Sequence, residues 1–437
     1  MLKKVIGLFC CLLALEGLKA CSSKKVIPQG KRIAVLAPVS TVKPDVSNGQ
    51  AKINIPAMQT NSQWLQTDFN AYHVTPNLQV SPKFEKQWSA SFGEGASKRE
   101  VLMSTPLVAE GKVYTLDVEG LLSAFNLKNG ESVWYTELKP QNKYAKDNSM
   151  NGIGIAYDNG IIFATTGYGD VFAVSAKKGD IVWTKSLNYP LRTAPMIAEG
   201  KVFVQSADNK FFALDEKDGE ILWKYDIMLE NTTLVGGSVP AYCKDLDMII
   251  AGFSSGELQT FNASIGSPLW SDVLISNRQA YSSTFLNTIK ASPVVEGETV
   301  YAFSNGNVLT SIDARTGLRN WEKEIGGKTT PLLAGNVLYV ISNDRDLLAI
   351  NKENGNILWA KPLDFGEKPA DVVASAPIML SNRLIIALSN GNVFTYDPKN
   401  GTILSSVNLD YELNSSPIAA DGYIIFVTSK AKLLVYK

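Results

Sequence analysis

Ala213-Leu214-Asp215-Glu216-Lys217-Asp218-Gly219-Glu220-Ile221-Leu222-Trp223 carries the pattern on which the fold turns: a small residue, an apolar one and Asp or Asn, then glycine four residues on, then tryptophan four further. The pattern occurs earlier as Ala124-Phe125-Asn126 with Gly130 and Trp134, and as Ala173-Val174-Ser175 with Gly179 and Trp183. It returns later as Thr260-Phe261-Asn262 with Gly266 and Trp270, Ser311-Ile312-Asp313 with Gly317 and Trp321, and Ala349-Ile350-Asn351 with Gly355 and Trp359. A seventh copy, Thr395-Tyr396-Asp397 with Gly401, has Ser405 at the tryptophan position. Successive aromatic positions lie 38 to 51 residues apart. A period of this size marks a repeat architecture.

Upstream of each pattern the chain has a common front half. A small residue and proline open it in seven places, from Thr105-Pro106 to Ser416-Pro417, followed by short apolar strands separated by Gly- or Asn-centred turns. Short strands and tight turns at this period predict four-stranded antiparallel units. One such unit cannot bury both faces alone, but units set radially cover one another. Glycine supplies a positive φ at the turn before the outermost strand. Tryptophan on that strand can then fill the gap between blades and place its N–H on a neighbouring carbonyl. Trp88, Trp134, Trp183, Trp223, Trp270, Trp321 and Trp359 are therefore read as structural docking residues rather than as a ligand-stacking array. The last unit begins at Ser415-Ser416-Pro417 and lacks an outer strand, whereas Phe84-Glu85-Lys86-Gln87-Trp88 is an outer strand without a unit. The expected fold is all-β: an eight-bladed β-propeller of four-stranded antiparallel blades over residues 84–437, its ring closed by the N-terminal strand around Trp88. Closure removes an open edge that would invite aggregation.

The first 20 residues read as an export signal, with Lys3 and Lys4 ahead of an apolar run from Val5 to Leu15 that is too short to span a bilayer. Leu18-Lys19-Ala20-Cys21 resembles a bacterial lipobox, apart from Lys19 at its middle position. The resemblance makes Cys21 the lipidated first residue of the mature chain and, with Ser22 after it, implies retention at the outer membrane. Residues 21–83 read as a lipidated N-terminus and tether: prolines and polar residues dominate to about 62, and Trp64 to Pro82 begins to pack on the body. Lysine plus arginine and aspartate plus glutamate balance at 42 each, which argues against nucleic acid as a partner. The single histidine, His73, argues against zinc and histidine-based catalysis. With Cys10 and Cys11 in the signal and Cys21 on lipid, Cys243 is left without a disulfide partner.

The repeated unit resembles the tryptophan-docking repeat of PQQ-type propellers, a group shared by quinoprotein dehydrogenases and by the BamB family of the outer-membrane β-barrel assembly machinery. The dehydrogenase branch implies an adjacent-cysteine disulfide, long insertions and a calcium site with a catalytic aspartate. The body of this chain offers no such set, so no enzyme activity, cofactor, metal or catalytic residue is expected. A PQQ-dependent dehydrogenase-like role and a periplasmic propeller binding another protein or a glycan are the alternatives. The BamB branch implies a monomer within a hetero-complex on the periplasmic face of the outer membrane. It implies binding to the POTRA region of BamA, to other machinery subunits and to unfolded outer-membrane proteins, with the lipid as membrane contact. Its two partner-binding loops match Leu229–Pro240 and Arg278–Pro293. They nominate Leu234, Gly236, Phe285, Leu286 and Ile289, while Val235, Thr288 and Lys290 depart from the family's charged residues.

Overall fold

A computed structural model describes residues 42–45, 52–97, 100–141, 152–227, 236–276, 287–366 and 372–437. Among them, 32 strands form eight four-stranded antiparallel sheets, the blades of a propeller. Seven blades are consecutive in the chain: 107–137, 152–186, 196–226, 241–273, 294–323, 332–362 and 378–408. The eighth joins the two ends. Strands Ile418–Ala420, Tyr423–Val427 and Lys432–Tyr436 are completed by Lys86–Ser91, whose Trp88 lies opposite Val435.

Proline sets the length of the inner strands. It offers no N–H to a ladder, and each inner strand that follows an opening proline is three residues long, as in Leu107–Ala109 and Met196–Ala198. Blade two has no such proline, and its inner strand runs seven residues, Gly152–Asp158. The core lies between sheets. Phe211 of blade three stacks on Phe261 of blade four with ring centroids 5.3 Å apart.

Each outer strand meets its neighbour through a register shift beside the docking position. In blade one Ala124 faces Trp134 but Phe125 faces Ser132, and blades two to seven repeat the shift. The closing strand has its own shift between Lys86 and Trp88. Such bulges sharpen twist and re-aim side chains. Each indole then donates to the carbonyl that follows the next blade's Asn, Asp or Ser: Trp88 to Leu127 at 2.8 Å, Trp134 to Ala176 at 3.1 Å, Trp183 to Glu216 at 3.0 Å. Trp223 donates to Ala263, Trp270 to Ala314, Trp321 to Lys352 and Trp359 to Pro398.

A segment without regular structure crosses the ring. Trp64 exchanges backbone hydrogen bonds with Val108 of blade one, and the Leu65 carbonyl accepts from Tyr157 of blade two. Gln66 pairs through both side-chain atoms with the Ile197 backbone of blade three. Ala71, Tyr72, Leu78 and Asn61 accept backbone N–H groups from blades four, five, seven and eight, and Asp68 accepts the Thr330 hydroxyl at the entry to blade six. This strap satisfies inner-strand edges that would otherwise be left unpaired. Earlier in the chain, Lys52 and Asn54 bond Asn336 of blade six. The flexible stretch expected to reach about residue 62 is thus already bound at Asp45, which meets Ile357 and Lys323, and again at Lys52 and Asn54, because irregular backbone can pair with side chains and turns of a blade.

Candidate functional site

The residues just ahead of the inner strands, and in blade two Ile153 within its strand, face the propeller axis and surround a cavity of about 680 Å³. Thr67 and Asp68 of the strap form part of its wall. Small residues and hydroxyls dominate at the opening motifs, among them Thr105, Thr193, Thr330, Ser375 and Ser416. Thr105, Thr330 and Ser416 directly precede their prolines and Thr193 and Ser375 stand one residue earlier; proline fixes the backbone at these openings, so hydroxyls recur around the axis at two adjacent positions.

The two loops nominated by resemblance reach the same cavity. Gly236 and Gly237 line it from the first, Lys290 from the second. Arg192, three residues before the proline of blade three, ties the first loop down: its Nε and Nη2 donate to the Gly236 carbonyl at 3.0 and 2.6 Å. Glycine is required here twice. Gly236 has φ +82°, and a Cβ on Gly237 would stand 2.7 Å from Arg192 Nε. Arg192 is only 5% exposed and its Nη1 has no hydrogen-bond partner. Burial pushes its guanidinium down to about 10. Burial, then the charges of Lys328 and Arg192, also hold the Lys290 ammonium below the usual lysine range. The Lys290 side chain is nonetheless open to the lumen.

The remaining nominated residues divide sharply. Leu234, Phe285 and Leu286 lie outside the described residues, as do Val235 and Cys21. Ile289 is 1% exposed and packs against Gly252 in the core of blades four and five, so its side chain offers a partner no surface. Its N–H donates to Phe253, and the Thr288 hydroxyl donates to Ser254. This stretch anchors the second loop while Lys290 projects from it. His73 is buried in the strap, its Nδ1 2.7 Å from the Pro293 carbonyl, and burial lowers its pKa. Cys243 is buried and free. Among the described residues no three His, Cys, Asp or Glu side chains gather as a metal site.

Arg192 and Lys328 escaped the sequence reading, although a signal existed. Aligning the repeats on their opening prolines places Arg192, Lys290 and Lys328 at one equivalent position, three residues upstream.

Residues 118–361 match the sequence profile of the family described as outer membrane protein assembly factor BamB. The chain is 26% identical over 266 residues to the BamB of Yersinia pestis, covering 59% of this chain and 67% of that one. It is 27% identical over 244 residues to the BamB of Shewanella oneidensis, covering 55% and 61%. Among solved structures, BamB from Moraxella catarrhalis superposes with a TM-score of 0.68 at 18% identity, over 81% of this chain and 99% of that one. The quinohemoprotein alcohol dehydrogenase of Comamonas testosteroni superposes at 0.65 with 12% identity, over 86% and 80%. These superpositions establish a shared propeller fold, and fold alone does not assign function.

Proposed function

The chain belongs to the outer membrane protein assembly factor BamB family, and on that footing we propose that it is a non-catalytic scaffold of the outer-membrane β-barrel assembly machinery. In this reading Cys21 carries the lipid that holds it to the periplasmic face of the outer membrane. The propeller binds BamA and assists the folding and insertion of outer-membrane proteins.

One observation carries the reading: the described ends of the two family loops, far apart in sequence, reach one cavity, where Arg192 holds the Gly236 carbonyl and Lys290 lies close to Gly236. A surface assembled from separate blades suits a protein partner, with a rigid scaffold presenting loops. The donor chemistry of the cavity supports a binding rather than a catalytic role. Among the described residues lining it, the one carboxylate, Asp68, is engaged by Thr330, and the other charged groups are cations. An interface of standard size would bury about 800 Å² on each side, with an apolar anchor such as Leu234 near its centre.

Leu234→Glu places a charge at that centre. Copurification of BamA with the full-length variant from detergent extracts should fall at least tenfold. Undiminished recovery would remove this loop from the interface.

A further inference from the structure

The position three residues before each opening proline forms a ring about the axis, and its charges are all of one sign. Blades three, five and six place Arg192, Lys290 and Lys328 there. Blade four, between the first two, has Gly237, and the opposite side carries Met103, Ala374 and Asn414. Three cations thus gather on one side of a lumen in a chain whose acidic and basic residues otherwise balance. Among the described residues no ion pair joins any of the three to a carboxylate. Like charges held together in a confined lumen repel one another, and an anion relieves that repulsion.

The facing wall differs in kind. Val101 and Val373 line the cavity while 48% and 68% exposed, and Met103 and Leu413 lie beside them. A small inorganic anion would use the cations and leave this apolar wall wet. A ligand carrying carboxylates next to apolar side chains would use both. The hydroxyls of the opening motifs add hydrogen-bond donors between the two walls.

We propose that this lumen is a binding site for an acidic, apolar-flanked peptide segment of a partner protein. The proposal rests on the protein-binding role above and names the chemistry that role would recognise. Lys290 and Lys328 supply the accessible charge. Arg192 donates to the Gly236 carbonyl and so joins the cationic wall to the end of the first loop.

The test uses fluorescence anisotropy on the detergent-purified full-length chain. The probe is a labelled octapeptide alternating aspartate and leucine, with lysine–leucine and aspartate–serine peptides as counterparts. The aspartate–leucine peptide should bind saturably and weaken as salt rises. Lys290→Glu and Lys328→Glu should each raise its Kd about tenfold, with melting temperatures unchanged because both side chains face the lumen. The aspartate–serine peptide should bind at least about tenfold more weakly, and the lysine–leucine peptide should not bind. Affinity unchanged from the parent in both lysine variants would overturn the proposal. So would citrate displacing the peptide at matched concentration, which would mark a simple anion site, or the absence of saturable binding at low salt. The titration and the Leu234→Glu copurification fail independently. A chain that recovers BamA without binding the peptide overturns the lumen site alone. A chain that binds the peptide but recovers no BamA upholds the lumen site and overturns the BamA assignment.

Discussion

Trp223 shows how much one residue type is asked to do. Its N–H reaches the Ala263 carbonyl at 3.1 Å, and its ring lies against Gly266, where φ is +73°. A Cβ at Gly266 would collide with that ring. Trp223→Phe should lower unfolding stability by about 1 kcal/mol through the lost hydrogen bond, and Trp223→Ala by about 3–5 kcal/mol through the cavity left behind. Urea titration followed by far-UV circular dichroism reads both. Asparagine, aspartate, glycine and tryptophan were legible in the sequence because seven copies repeat their spacing. The second duty of the glycine, making room for an indole from the preceding blade, was not, since its partner comes from another repeat. His73 offers a test through pH. It is buried, adopts φ +58°, and its pKa is lowered by burial. In the unfolded chain the imidazole takes a proton as pH falls below the ordinary histidine range, while the folded chain resists. Its stabilising contribution is therefore complete above that range and is lost as pH falls toward the folded value, by at most about 1.4 kcal/mol per pH unit. His73→Asn, which tolerates the left-handed backbone, should flatten the stability profile between pH 7 and pH 5. An unchanged slope would assign the acid sensitivity to other groups.

At the scale of the strand, Ser405 is the informative exception. The outer strand Ile403–Asn408 is exposed at all six positions, whereas every other outer strand has half-buried or buried positions. The blade beside it is the composite one. There Lys437 and Glu85 exchange hydrogen bonds between two chain segments, where every other blade has an Asn-, Asp- or Ser-led turn. An indole at 405 would find no turn carbonyl and no glycine to lie against. Ser405→Trp should accordingly leave the melting temperature within about 1 °C of the parent, where one restored tryptophan dock worth about 1 kcal/mol would add roughly 2 °C or more in a chain of this size. A larger rise would mean the closing junction provides a dock after all. The missing tryptophan was visible in the sequence, but its cause became visible only when the closing strand was seen in register. The bulges beside the docking positions left no mark, because an inserted residue merely shifts an alternation that short strands barely establish. That the chain from Trp64 to Pro82 packs on the body was legible from its aromatics, but its path across the blades was not, for a related reason. It has no period, and its hydrogen bonds go mostly to backbone edges that carry no sequence signature.

At the scale of the propeller, the strap, seven continuous blades and one composite blade surround a cavity with a cationic side and an apolar side. The propeller could be read from the repeat because each blade must present the same faces to its neighbours. The cavity could not, because its character comes from one position per blade, compared around the ring rather than along the chain. Arg192, Lys290 and Lys328 lie more than 30 residues apart in sequence and share one wall. In the proposed role this end of the propeller binds the assembly machinery. This binding is tested most directly by treating intact cells with a lysine-reactive crosslinker, isolating the full-length chain and mapping its linked peptides. Links from Lys290 and Lys328 to BamA or another assembly subunit are expected. Links to such subunits confined to other faces, or none to the machinery at all, would contradict it.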